Sequence, residues 1–277
     1  MEIPDYRPNR APVLSVLVRS NTAPLRSADA VRVSDNYPSE FIERADRAYK
    51  ERAEIQNVRE SVELLRNACL RKDDYELAWR LSRALFFLGQ EAQAQDEFAT
   101  GKDRLVLQAA GSFHQEGANA GNNARRLDPG RVEGHFWVGV NLALLAALEP
   151  KAKAALRALQ AKRALQRAVA IDAAYHGAGP SRVLARLQHK LPRWLGGGRR
   201  RARANFERAT AIAPSNTVTR IYFAELLLEV GETSRARSEL EWVLSVPFDP
   251  DWGFEIARDQ RRAKEMLASL PSLNEEL

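Results

Sequence analysis

Residues 202–214 read ARANFERATAIAP, and this segment decides the fold that the sequence predicts. Ala202 and Ala209 lie seven residues apart, so a helix places both on one side, with Phe206 between them. The small alanines let a neighbouring helix approach closely, and the phenylalanine fills the space between them. Pro214 cannot continue the helix and therefore ends it. The segment predicts the second helix of a tightly packed helical hairpin.

Ala202, Phe206, Ala209 and Pro214 follow one another at spacings of four, three and five residues. The same spacings recur in three weaker copies along the chain. These are Ser61, Leu65, Ala68 and Asp73; Gly117, Gly121, Ala124 and Pro129; and Ala161, Leu165, Ala168 and Ala173. The pattern is that of the tetratricopeptide repeat (TPR), whose period is about 34 residues. The copies are spaced more widely than that period. The sequence therefore predicts a divergent array with insertions, the largest a helix-containing excursion at residues 90–117.

The rest of the chain beyond Tyr37 also has the apolar period of helices, with glycine or proline between most segments. Gly231 marks the turn of a further hairpin, and residues 252–270 form an amphipathic helix suited to cap the array. We predict an all-α, TPR-like right-handed solenoid of antiparallel helix hairpins with a C-terminal capping helix, over residues 37–277. Residues 1–36 contain several prolines and are predicted to be a flexible leader.

The composition of the chain indicates its cellular compartment and whether it spans a membrane. The 277 residues carry a net charge of +6 and one cysteine, so no intrachain disulfide can form. No apolar run approaches the roughly 18 residues that span a bilayer. The first residues are acidic and then interrupted by arginine, which is a poor secretory signal. These features predict a cytoplasmic protein, with the periplasm as the alternative if the N-terminus is incomplete.

Motifs that carry chemistry are missing from the sequence. The glycine clusters at residues 177–180 and 196–198 lack the spacing and the lysine of a phosphate-binding loop, and they are interpreted as turns between helices. The four histidines show no metal-ligand spacing, and Cys69 lies in an apolar run typical of a core. The sequence predicts a non-enzymatic protein without catalytic residues, metal or cofactor.

Aromatic residues on the first helices of the hairpins suggest a binding surface. In TPR arrays the first helices line a concave face, where rings and an arginine would suit an amphipathic protein segment or an apolar ligand. The candidate groove residues are Trp79, Arg83, Phe86, Phe136, Val140, Leu187 and Trp194. The alternative interpretation is that these side chains only fill the core between repeats.

A basic segment offers a second candidate site. The segment from Arg182 to Arg208 contains nine lysines and arginines but only one glutamate, and Trp194 lies among them. Such a patch, centred on Arg199, Arg200, Arg201 and Arg203, would suit nucleic acid or another anionic surface. A solvated helix face explains the same residues without a ligand.

Four segments together resemble the TRAP transporter T-component family. They are DDYELAWRLSRALFFLG (73–89), DPGRVEGHFWVGVNLAL (128–144), the block at 175–231 that contains YHGAGPSRVLARLQHKLPRWLGGGRRRA, and ARSELEWVLSVPFDPDW (236–252). The resemblance extends over about residues 41–267. It implies an all-α, non-catalytic protein that binds a partner, the substrate-binding component of a transporter, and that can self-associate. It also implies that both glycine clusters are structural turns.

Overall fold

The computed structural model describes residues 38–98 and 104–271, so the predicted leader at residues 1–36 lies outside the described residues. The described residues contain eleven α-helices and no strand. The helices are α1 (Ser39–Lys50), α2 (Ile55–Arg71), α3 (Tyr75–Phe98), α4 (Arg104–Leu127), α5 (Val132–Leu148), α6 (Lys151–Ile171), α7 (Tyr175–Lys190), α8 (Arg199–Ile212), α9 (Thr217–Glu229), α10 (Thr233–Ser245) and α11 (Gly253–Ala268).

Consecutive helices pair into five hairpins, α1/α2 through α9/α10. The odd-numbered helices also pack against one another along the array, and α11 packs against both helices of the last hairpin. We call α1, α3, α5, α7, α9 and α11 the first helices, and the surface they share the inner face. The predicted all-α helical repeat is confirmed, and α11 takes the place predicted for the cap.

The second helices are built as the repeat signature predicts. Ala202, Phe206 and Ala209 of α8 are all completely buried. The corresponding alanine in α2, α4 and α6 is also 0% exposed. In α4 the helices approach so closely that a Cβ atom at Gly121 would lie 2.8 Å from the backbone nitrogen of Val138. Glycine at this position therefore allows α4 and α5 to pack together.

The excursion predicted at residues 90–117 is replaced by longer helices. Residues 90–98 continue α3, and residues 104–117 already belong to α4. Each of these helices has 24 residues, compared with 14 in α8. The extra residues extend the hairpin because their sequence keeps the helical period, and only residues 99–103 between the helices lie outside the described part.

A left-handed turn opens α7. His176, Gly177 and Ala178 have φ values of 53°, 61° and 57° inside the range of the helix. This conformation costs roughly 1–2 kcal/mol for each residue that has a Cβ atom. Pro180 follows, where the right-handed part of the helix starts and a missing N–H is tolerated. The first glycine cluster is therefore a turn, as predicted.

A buried polar cluster joins α3, α4 and α5. The amide of Asn141 donates to the carbonyl oxygen of Ser82 at 3.1 Å, and its Oδ1 lies 3.2 Å from Nδ1 of His114. Ser82 Oγ donates in turn to the carbonyl oxygen of Gly117 at 2.7 Å. All three polar side chains are 0% exposed. Burial lowers the pKa of His114 to about 4, despite its contact with Asn141, so its imidazole is neutral at neutral pH.

Candidate functional site

The inner face carries a continuous set of aromatic and arginine side chains, which we call the inner cluster. Neighbouring members lie 4.0–5.9 Å apart, measured between ring centroids or from a guanidinium carbon to a ring. In order of contact, the members are Trp79, Arg83, Tyr49, Arg52, Trp252, His176, Trp137 and Phe86. Phe136 and Tyr175 pack beside them. The cluster thus joins four first helices to the segment that precedes α11.

Arg83 is a largely buried cation of the inner cluster. Its guanidinium carbon lies 4.0 Å from the centre of the Tyr49 ring and 5.0 Å from that of Trp79. Nη2 donates to Asp46 Oδ1 at 2.6 Å, and 17% of the side chain is exposed. Nε is buried and has no hydrogen-bond partner among the described residues. Arg83 therefore retains one directed donor on the inner face.

The left-handed turn places His176 within the same cluster. Its ring centroid lies 5.1 Å from that of Trp137 and 5.0 Å from that of Trp252. Burial, with a smaller contribution from the positive charges of Arg182, Arg83 and Arg52, lowers the pKa of His176 to about 3. Nδ1 is buried without a partner among the described residues. A neutral imidazole and several arginines thus face one another, an arrangement that would attract an anionic group.

Trp79 is fixed by an ionic network at the start of α3. Its Nε1 donates to Glu76 Oε2 at 2.8 Å. Burial would raise the pKa of Glu76, but hydrogen bonds from Arg131, Trp79 and Arg80 outweigh it and lower the pKa to about 2. Arg80 also donates to Asp46 at 2.8 Å. The carboxylate is therefore ionised at neutral pH and holds the indole in place.

An ion pair closes the inner face between the two ends of the array. Arg52 donates from Nε and Nη2 to the two carboxylate oxygens of Glu255, both at 2.8 Å, and from Nη2 to the carbonyl oxygen of Asp251 at 2.6 Å. Lys50 lies 3.4 Å from Asp251, and the rings of Phe87 and Phe254 are 5.7 Å apart. We call these contacts the clasp. They connect the end of α1 and the turn after it, together with Phe87 of α3, to α11 and the segment that precedes it.

The structure brings most of the predicted groove residues together but buries them. Trp79, Phe136, Val140 and Leu187 belong to one hydrophobic cluster and are 2–9% exposed. Phe86 packs against the same cluster and Arg83 lies beside Trp79.

Trp194 is separated from this group. It lies in a short 3₁₀ turn after α7, at Arg193–Leu195, and is 77% exposed. The chain leaves α7 before Pro192, so residue 194 does not continue the helical face of Leu187. The prediction that Trp194 shares a surface of the first helices is therefore corrected.

Five members of the inner cluster are absent from the predicted groove: Trp137, His176, Trp252, Tyr49 and Arg52. Trp137 adjoins Phe136 in the sequence and could have been found from that position. His176 reaches the inner face only because the turn is left-handed, and Trp252 only because the array closes. No local pattern signals either feature.

The predicted basic patch divides into paired, buried and exposed residues. Arg186 pairs with Glu225, Lys190 with Glu229 and Arg203 with Glu232. Arg182 is only 6% exposed and serves the left-handed turn. The exposed cations that remain include Arg193, Arg199, Arg200 and Arg201.

The second glycine cluster is a turn as well. The N–H of Gly197 donates to the carbonyl oxygen of Pro192 at 3.1 Å, and that of Gly198 to Gln188 at 2.9 Å. A Cβ atom at Gly197 would lie 1.9 Å from the carbonyl oxygen of Leu191. Only glycine fits this turn.

Other candidate chemistry is limited in the described part of the chain. No group of three or more His, Cys, Asp or Glu residues there could hold a metal ion. Burial, followed by the nearby charges of Asp74 and Asp73, raises the pKa of the Cys69 thiol to about 11. The thiol is therefore protonated at neutral pH and a poor nucleophile. Among the described residues, no helix has the length and apolarity that crossing a membrane requires.

One solved structure shares the fold, and two others are similar to it only weakly. The TPR protein TTC0263 of Thermus thermophilus is 16% identical and gives a TM-score of 0.57, covering 83% of this chain and 97% of its own. A tetratricopeptide repeat protein from Parabacteroides merdae gives 0.35 at 14% identity, covering 86% and 95%. Yeast Tom70 gives 0.30 at 12% identity, covering 90% and 69%. The first of these supports a TPR-type fold.

No curated protein matches this chain significantly. The family model of the TRAP transporter T-component matches residues 99–273, which is more than half of the sequence. This match includes the left-handed turn, the glycine turn and the capping helix. The chain belongs to the TRAP transporter T-component family.

Proposed function

We propose that the chain is a non-catalytic scaffold of a TRAP-type transport system that holds a partner on its inner face. The bound group is a segment of a protein partner, or an amphipathic ligand, that combines an apolar part with an acidic group. The TPR-type fold and membership of the T-component family support an interaction scaffold. The inner cluster supports the chemistry of the bound group.

The observation that carries the proposal is the confined guanidinium of Arg83. Asp46 and two rings fix its orientation, while Nε keeps a buried donor without a protein acceptor among the described residues. A buried donor without a partner costs about 1–3 kcal/mol. A carboxylate that accepted this hydrogen bond would remove the cost, and the adjacent rings would contact its apolar part.

The segment before α11, which joins the clasp through Asp251, also packs into the inner cluster. Trp252 packs on His176 and lies 5.9 Å from the guanidinium carbon of Arg52. The segment before α11 therefore covers part of the surface that a partner would use. We expect binding to displace this segment, so that the partner's acidic group reaches Arg83.

The experiment measures binding of the substrate-binding component of a TRAP transporter by isothermal titration calorimetry. Arg83→Gln removes the charge, and Arg167→Gln makes the same change on an exposed residue of α6. Loss of a charged hydrogen bond should weaken binding roughly 10-fold to 100-fold in the first variant only. Equal affinities of the two variants would refute the role of Arg83.

Trp79→Ala separates a binding surface from simple packing. Trp79 is 8% exposed. If its role is packing alone, the substitution costs about 3–5 kcal/mol of stability. If the indole also contacts the partner, the folded fraction of the variant binds more weakly than wild type. If Trp79→Ala unfolds the protein and Arg83→Gln binds normally, the inner cluster serves only as core packing.

A further inference from the structure

The turn between α7 and α8 carries an exposed tryptophan with arginines close to it in the sequence. We call Arg193, Trp194, Arg199, Arg200 and Arg201 the basic corner; all five side chains are exposed. Trp194 is 77% exposed, whereas Trp79 and Trp137 are 8% and 1% exposed. An exposed indole contributes little to the core, so its position calls for an explanation outside the folding of the hairpin.

The turn that carries Trp194 is held by several hydrogen bonds. The N–H groups of Leu195 and Gly196 donate to Pro192 and Arg193 at 3.1 and 2.9 Å. Lys162 of α6 donates to the carbonyl oxygen of Leu195 at 3.3 Å. Together with the bonds of Gly197 and Gly198, these contacts fix the backbone that presents the indole. The backbone of the corner therefore has a defined conformation.

The charge of the corner is not paired within the described part of the chain. None of its four arginines forms an ion pair with another described residue, while the neighbouring Arg186, Lys190 and Arg203 are each paired with a glutamate. Arg199, Arg200 and Arg201 also occupy the first turn of α8, where positive charge is unfavourable for the helix. Neither ion pairing nor helix stability explains these residues, but an anionic partner would.

We propose that the basic corner docks on the surface of an anionic lipid bilayer. Tryptophan is favoured at the level of the lipid headgroups, and arginines next to it would contact the phosphates. The corner presents one exposed ring and four exposed arginines within nine residues of sequence, a combination that suits the headgroup region of a bilayer. Single-stranded nucleic acid is bound by successive stacking rings, and a peptide by an apolar groove. The corner presents one ring, which favours the lipid surface. This proposal is independent of partner binding on the inner face.

The experiment is co-sedimentation of the full chain with vesicles. One set contains phosphatidylcholine mixed with phosphatidylglycerol, and the other contains phosphatidylcholine alone. We expect binding to the anionic vesicles, weaker at high salt, with a blue shift of tryptophan fluorescence that Trp194→Phe abolishes. Replacing Arg199, Arg200 and Arg201 by Gln should weaken binding on the order of 100-fold, from about 1 kcal/mol for each arginine.

The matched control removes the same charge elsewhere. Arg44, Arg47 and Arg261 are exposed, and their triple Gln variant should lose much less affinity than the corner variant. Circular dichroism checks that both variants are folded. Three results would overturn the proposal: equal losses in the two triple variants, no preference for anionic vesicles, or tight binding of single-stranded DNA at physiological salt without binding to vesicles.

Discussion

Nη1 of Arg182 lies 2.8 Å from the carbonyl oxygen of Gly177 and hydrogen-bonds the middle of the left-handed turn. The same nitrogen lies 3.2 Å from Asn216 Oδ1, the side chain that caps α9. Burial lowers the pKa of Arg182 to about 10, against the opposing effects of Tyr222 and Asp259, so the guanidinium is still charged at neutral pH. One buried cation thus joins the turn at the start of α7 to the start of α9.

Replacing Arg182 by Met should destabilise the protein by about 1–3 kcal/mol, because the carbonyl oxygen of Gly177 loses its buried donor. Arg208→Met removes an exposed arginine of α8 and should change stability by less than about 0.5 kcal/mol. Urea unfolding followed by circular dichroism measures both values. If the two variants are equally stable, Arg182 does not hold the turn.

Ala209→Phe tests the contact between the helices of the fourth hairpin. Ala209 is 0% exposed, so the larger ring should overpack the contact and cost about 1–3 kcal/mol. Ala204→Phe on the exposed side of the same helix is the control, since it makes the same chemical change without a close neighbour. The midpoint of urea unfolding should fall only for Ala209→Phe. A similar decrease in both variants would contradict the repeat packing.

His114 should make stability depend on pH between about 4 and 6.5. The folded state keeps its imidazole neutral down to about pH 4, whereas the unfolded state binds a proton near pH 6.5. The unfolded state therefore holds more protons in this window, and the free energy of unfolding falls as pH falls. One such group contributes a slope of up to about 1.4 kcal/mol per pH unit.

His114→Asn removes this titration while keeping a small polar side chain beside Gly89, where an added Cβ atom would lie 2.4 Å from the imidazole. The free energy of unfolding, measured by urea at several pH values, should then depend less steeply on pH near pH 5. His176, whose pKa is also lowered, keeps its own contribution in this variant. An unchanged slope would mean that His114 does not remain neutral in the folded protein.

The clasp should contribute measurable coupling between the two ends of the array. The side chains of Arg52 and Glu255 are 11% and 20% exposed, so their pairing is screened less than that of a surface pair. A double-mutant cycle with Arg52→Ala and Glu255→Ala should give a coupling free energy of about 0.5–3 kcal/mol. The pair Arg235–Glu207, 43% and 45% exposed, should give less than about 1 kcal/mol. Equal coupling free energies in the two cycles would show that the Arg52–Glu255 pair contributes no more than a surface ion pair.

The sequence predicts those features of the fold that local spacing determines. The spacing of Ala202, Phe206 and Ala209 reports which side of a helix is packed, and all three residues are buried as predicted. The glycines at residues 177 and 197 both lie in turns because the backbone there excludes most side chains. The lengths of α3 and α4 were harder to predict, because the residues assigned to an excursion keep the same helical period as their neighbours.

The candidate site depended on contacts that no local pattern encodes. Phe136 and Trp194 are both aromatic residues near the first helices, but one is 2% exposed and the other 77%. The difference arises from the path of the chain after Pro192. Likewise, nothing around Arg52 indicates that Glu255 will be its partner.

Closure of the array has a consequence for how the chain folds. In an open repeat protein each unit contacts only its neighbours, so folding can spread from any hairpin and most contacts are short in sequence. Here Arg52 and Glu255 are 203 residues apart. Their contact requires most of the array to be formed first, because a long loop must close before the pair gains its energy. The ends should therefore be the last parts of the protein to become ordered.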